Sequence, residues 1–113
     1  MSAANEVDPV DVLVSQHFNQ LTPAQAERLA LLLEELGEAQ QAIGKILRHG
    51  YESTHPNRPS GPTNRIALVR ELGDVQLAIE LMLDAGDIQE DDIENRVMEK
   101  TSTVRPYLHH QTG

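Results

Sequence analysis

The chain has 113 residues, no cysteine, and 18 Asp and Glu against 9 Lys and Arg, for a formal net charge of −9. That length allows a single domain, 1–113, with a small core. The missing cysteines exclude disulfides and thiolate metal sites and suit a reducing cytoplasm. The acidity argues against a nucleic-acid polymer as partner, no apolar run approaches a membrane span, and the N-terminus lacks a signal-peptide pattern.

Residues 1–7 show no periodicity and are expected to form a loose tail. Asp8-Pro9 reads as a helix start, an N-cap aspartate before a first-turn proline. Val10, Leu13, Val14 and Phe18 (or His17) continue as an apolar stripe to about Asn19. Its end, Gln16, His17, Phe18 and Asn19, reads either as a contact for a planar base or, more readily, as a helix end packing one phenyl ring into the core. Thr22-Pro23-Ala24-Gln25 opens a second helix with an N-cap threonine, a first-turn proline and a capping-box glutamine. Its pattern runs to His49-Gly50, where glycine suits the position just past a helix end. Leu29, Leu32, Leu33, Leu36, Ile43 and Leu47 form its expected core stripe, while Glu35 and Glu38 lie on a flank that would face a seam between helices. Lys45 lies two turns beyond Glu38. It and Arg48 read equally as phosphate contacts or as ordinary cations near a helix C-terminus.

Tyr51 to Thr63 holds Pro56, Pro59, Gly61 and Pro62 and reads as a loop. A loop of this length in a small domain is more often functional than idle. Its Glu52-x-x-His55 has the spacing of di-iron ligands, but outside a helix that spacing does not define one face. A third helix, capped by Thr63 or Asn64, runs to Ala85-Gly86 and is apolar on most sides, so it is expected to be the most buried. Asp87 or Glu90 opens a fourth, with Ile88, Ile93, Val97 and Val104 on one side and Arg96, Lys100 and Arg105 in or near it. Pro106 ends or kinks that helix. His109 and His110 fit an unstructured terminus better than a ligand pair.

The chemistry concentrates in Glu34-Glu35-Leu36-Gly37-Glu38 and its echo Glu71-Leu72-Gly73-Asp74. Residues at i and i+3 on a helix are neighbours, so each stretch pairs two carboxylates on one face. Two such faces opposed would hold four carboxylates together, and so much unpaired charge protonates or holds cations. Oxygen-only ligands favour Mg²⁺ or Mn²⁺. Glu71 and Asp74 sit beside Ala67 and Ala78 on an otherwise apolar face. The bland alternative pairs Asp74 with Arg70 and leaves Glu71 solvated.

Glu34-Glu35-x-x-Glu38 followed by Glu71-x-x-Asp74, each on a helix, resembles the signature of the MazG-like all-α nucleoside triphosphate pyrophosphohydrolases. EELGEAQQAIGKILRHGY (34–51) and ELGDVQL (71–77) are most similar to the small phage-type members. The likeness covers roughly residues 15–108, and Arg70 stands where many relatives carry a second acid. It implies an all-α bundle of four main helices completed by dimerisation or tetramerisation, hence a homodimer or homotetramer. It also implies cleavage of a nucleoside triphosphate between the α and β phosphates, with dGTP or GTP favoured. Two or three Mg²⁺ or Mn²⁺ ions would be held by Glu35, Glu38, Glu71 and Asp74, with Glu34 available for one more. Glu38 is the expected general base, with Glu35 beside it. Lys45, Arg48, Lys100 and Arg105 are expected to balance the departing pyrophosphate. Rival expectations are a dUTPase-like or phosphoribosyl-ATP pyrophosphohydrolase-like substrate on the same fold, a non-catalytic helical binding module, and a di-iron carboxylate protein.

Overall fold

The computed structural model describes residues 19–111. The expected tail over 1–7 and the expected first helix, with Gln16 and Phe18, lie outside those residues. The described residues form three α-helices, α1 (Pro23–His49), α2 (Asn64–Ala85) and α3 (Glu90–Val104), followed by a 3-10 turn, Arg105–Tyr107. The expected bundle of four main helices is therefore corrected: among the described residues the architecture is all-α with three helices. The chain divides after Leu81 into two compact units, the second holding the end of α2, α3 and the 3-10 turn.

Local chemistry sets the ends of α1. Thr22 Oγ1 accepts from the Gln25 amide at 3.1 Å, and Gln25 Oε1 accepts from the Thr22 amide at 2.9 Å. Two amides that no helical carbonyl can reach are thereby satisfied. At the other end Gly50 takes φ 88°, a left-handed region that costs glycine little, and its amide donates to Ile46 O at 2.7 Å. Thr22→Ala removes one capping partner and should lower stability by about 1 kcal/mol. Urea denaturation should show a lower midpoint at unchanged slope, and an unshifted midpoint would contradict the assignment.

The loop between α1 and α2 is tied to the start of α2. The Asn64 amide donates to Ser53 O at 2.8 Å, the Arg65 amide to Tyr51 O at 2.9 Å, and Asn64 Nδ2 to Gly50 O at 3.1 Å. Arg65 also pairs with Glu52 at 2.7 Å and lies over the Tyr51 ring, 4.3 Å from its centroid. Two consecutive turns follow, with the Arg58 amide donating to His55 O and the Gly61 amide to Arg58 O, each at 2.9 Å. Gly61 is needed there for space, because a Cβ would lie 3.1 Å from Arg58 O and 3.2 Å from Arg58 Cβ.

Burial runs against the sequence expectation. Among the described residues the buried apolar ones are Ala39, Ala42, Ala78 and Met82, whereas Leu33, Leu47 and Val69 are 73%, 82% and 63% exposed. The expected core stripe of α1 and the expected deep burial of the helix over 64–85 are both corrected. Several large side chains there face outward, and apart from Met82 the enclosed positions are held by alanines.

In the second unit, α3 begins with Glu90, Asp91 and Asp92, three acids that complement the positive end of the helix dipole. Arg96 pairs with Glu99 one turn on at 3.2 Å. Pro106 falls inside the 3-10 turn, where Leu108 closes the chain back onto Arg105 O at 3.0 Å. Among the described residues no helix is long and apolar enough to cross a membrane.

Candidate metal centre

Four acids of the first unit converge. Glu35 and Glu38 on α1 and Glu71 and Asp74 on α2 each offer a carboxylate oxygen, and these oxygens all lie within 4.8 Å of one another. The two helices reach this arrangement by running in opposite directions. Gly50 at the end of α1 meets Asn64 at the start of α2, and the acids face each other further along both helices. On α1, Ala39 and Ala42 follow Glu35 and Glu38 by one turn each; on α2, Ala78 follows Asp74. These alanines are buried, so each carboxylate pair continues the enclosed small-residue face of its helix. Glu35 and Glu71 are half-buried and Asp74 is exposed.

Two atoms of the cluster lack what a buried polar atom requires. Glu35 Oε2 and Glu71 Oε2 are both shut off from solvent and have no hydrogen-bond partner. An unsatisfied buried carboxylate oxygen carries a large desolvation penalty. Both carboxyls respond as such groups do. Glu35 has its pKa raised above the ordinary 4.5, chiefly by burial, then by the charges of Glu38, Asp74, Glu34 and Glu71. Glu71 is raised by burial first, then by a hydrogen bond and the charge shared with Glu38, and by Asp74; Lys45 partly offsets this. Among the described residues Arg70 makes no ion pair with Asp74, so the bland alternative for that acid does not form. The donor set fits a hard divalent cation: all oxygen, drawn from two rigid helices, with two oxygens lacking any other partner.

Lys45 lies near the acids. A pocket of about 280 Å³ beside the cluster is lined by Glu38, Gln41, Ala42, Lys45, Asn64, Ala67 and Glu71. Arg48 instead lines a larger cleft, described below, that shares Lys45 as a wall. Glu34 is exposed and outside the set of four, acting on it through charge. Lys100 and Arg105 belong to the second unit, where Lys100 lines a groove along α3. Glu52 and His55 do not act as a pair, since Arg65 holds Glu52 and His55 Nδ1 accepts from the Asn57 amide at 3.1 Å. Sequence reasoning missed His49, Arg58 and Asn64 as cleft residues. The available signal was a run of cations over 45–58 interrupted by a single acid, Glu52.

No family model, curated protein or solved structure matches this chain.

Proposed function

We propose that this protein is a metal-dependent nucleoside triphosphate pyrophosphohydrolase of the MazG-like kind. It would cleave a (d)NTP between the α and β phosphates, with dGTP or GTP the favoured substrate. The observation that carries this reading is the convergence of the Glu-Leu-Gly-Glu and Glu-Leu-Gly-Asp acids, with one buried, unpartnered oxygen on each helix. Mg²⁺ or Mn²⁺, bound there in two or three copies, would screen the phosphate oxygens and acidify a bound water. Glu35, Glu38, Glu71 and Asp74 are the ligands, and Glu34 is a candidate for a further ion.

The reaction balances as triphosphate plus water giving monophosphate, pyrophosphate and a proton. A water oxygen bonds to the α phosphorus, the bond from that phosphorus to the α,β-bridging oxygen breaks, and a carboxylate takes the water's proton. Glu38 is the assigned base, with Glu35 beside it. Lys45, on the wall of the pocket that holds Glu38 and Glu71, meets charge on the phosphates as it develops. Arg48, Lys100 and Arg105 remain candidates to hold pyrophosphate, and Gln16 and Phe18 to contact the base. The exposed apolar faces of α1 and α2 support a homodimer or homotetramer, since such surface is usually covered by a partner.

Incubating the protein with each NTP and dNTP in Mg²⁺ or Mn²⁺, and resolving the products chromatographically, tests the reading. Monophosphate and pyrophosphate should appear, fastest with the guanine nucleotides. Glu38→Gln should slow turnover by at least about a hundredfold, the usual worth of a positioned base. Diphosphate and orthophosphate would mean that a different bond is cut. Absence of turnover on every nucleotide would return the protein to a binding module.

A further inference from the structure

A cleft of the first unit, about 650 Å³, lies between the end of α1, the loop over 50–63 and the start of α2. Its charge is opposite to that of the chain. Lys45, Arg48, His49, His55 and Arg58 line it, and no Asp or Glu does. In a protein with twice as many acids as Lys and Arg, three of those nine cations sharing one acid-free cleft calls for a partner. Within the described residues none of the three is paired with a carboxylate, whereas Arg65 and Arg96 both are.

Lys45 and Arg48 alone could be explained as cations complementing the end of α1. Arg58 and His55 could not, because they stand on the loop. The loop is pinned to α2 through Asn64 and Arg65, and Glu52, its sole acid, is occupied by Arg65 instead of lining the cleft. Arg58 is set by the two consecutive turns and by the close approach of Gly61. At His55, Nδ1 accepts the Asn57 amide, so the neutral ring carries its N–H on Nε2 and can donate to an anion. The first amides of α2 (Asn64, Arg65, Ile66 and Ala67) all have acceptors already. An anion here would therefore be met by side chains, in a preformed cleft that needs little ordering.

The cleft and the acidic pocket share Lys45, Asn64 and Ala67 as walls. We propose that the cleft is an oligophosphate compartment that receives the distal phosphates of the substrate, with Arg58 as a specificity-determining contact. Resting on the pyrophosphohydrolase reading above, this places the leaving pyrophosphate in the loop cleft and the scissile bond at the Lys45 wall. It also gives the loop a function, favouring triphosphates over substrates too short to reach Arg58.

The test is calorimetric titration of the full chain, stripped of metal on chelating resin, with inorganic pyrophosphate, triphosphate and orthophosphate. Wild type should bind the two oligophosphates more tightly than orthophosphate without metal. Arg58→Ala should weaken them at least about tenfold and Arg58→Lys should recover part of the loss, as expected for a charge-assisted contact. Both variants should keep the wild-type metal-dependent thermal shift, which shows that fold and acids are intact. Equal oligophosphate affinity in wild type and Arg58→Ala, or no binding by wild type, overturns the compartment even if nucleotides are hydrolysed. Oligophosphate binding that depends on Arg58, with no nucleotide turnover by wild type, keeps the compartment and removes the pyrophosphohydrolase reading.

Discussion

Glu71→Gln should raise the thermal midpoint of the metal-free protein and abolish its stabilisation by Mg²⁺ or Mn²⁺. The two effects have one cause. In the metal-free fold the Glu71 carboxylate is held partly out of water beside Glu38 and Asp74, and its pKa is raised, with burial the first cause. Its buried Oε2 has nothing to accept from. A glutamine of the same shape removes that charge and brings an amide that can donate to a neighbouring carboxylate. The same change deletes an anionic ligand, so the metal's affinity falls. An ion at about a hundred times its dissociation constant stabilises a fold by about 2.7 kcal/mol, and this increment should vanish. Glu35→Gln should behave alike, since Glu35 also carries a buried, unpartnered oxygen and a raised pKa. Glu80→Gln is the control, because Glu80 lies outside the set of four and accepts instead from Gln76. Thermal unfolding of the four proteins, in chelator and across a Mn²⁺ series at fixed ionic strength, measures both effects. A metal-dependent shift that survives in Glu71→Gln, or a metal-free midpoint that falls, would remove Glu71 from the ligand set.

What was legible in the sequence follows from the range of the interaction concerned. The capping box at Thr22 and Gln25 and the glycine at 50 depend on contacts within one turn, and both form where the spacing places them. The acidic echo is also local. Spacing of three on a helix fixes each carboxylate pair, and the recurrence of Glu-Leu-Gly suggested that the pairs meet. That α1 and α2 face each other at those acids depends on the loop, where three prolines gave a loop but no path. The path is set by Asn64 and Arg65 reaching back to Gly50, Tyr51, Glu52 and Ser53. Those pairings leave no periodic trace, so the cationic cleft was not foreseen. Periodicity also marks which residues avoid water without saying what covers them. Leu33 and Leu47 belong to an unmistakable apolar stripe and still stand exposed. The expected count of four helices is corrected to three among the described residues, and the short stripe at Val10, Leu13 and Val14 lies outside them.

Metal affinity should climb steeply with pH above the ordinary glutamate value of 4.5 and then level off. Glu35 and Glu71 both have raised pKa values in the metal-free fold, and a bound cation requires both carboxylates deprotonated. Binding therefore expels protons wherever the pH lies below those raised values. The expected dependence is about tenfold in affinity per pH unit for each proton released, hence up to about a hundredfold for two. The metal-free protein should show the opposite trend from these two groups. A carboxyl whose pKa is higher folded than unfolded adds stability below its unfolded value. That stability is lost as pH rises through the folded value. The metal-induced shift in thermal midpoint should accordingly widen as the pH rises from 4.5 through the raised folded values, as the metal-free form loses this contribution and the metal-bound form does not. Mn²⁺ titration by calorimetry in two buffers of different ionisation enthalpy counts the protons directly. Glu35→Gln should lower the count by up to one. A count of zero across this range, with affinity independent of pH, would mean that the ion does not bind at Glu35 and Glu71, and their buried oxygens would need another partner.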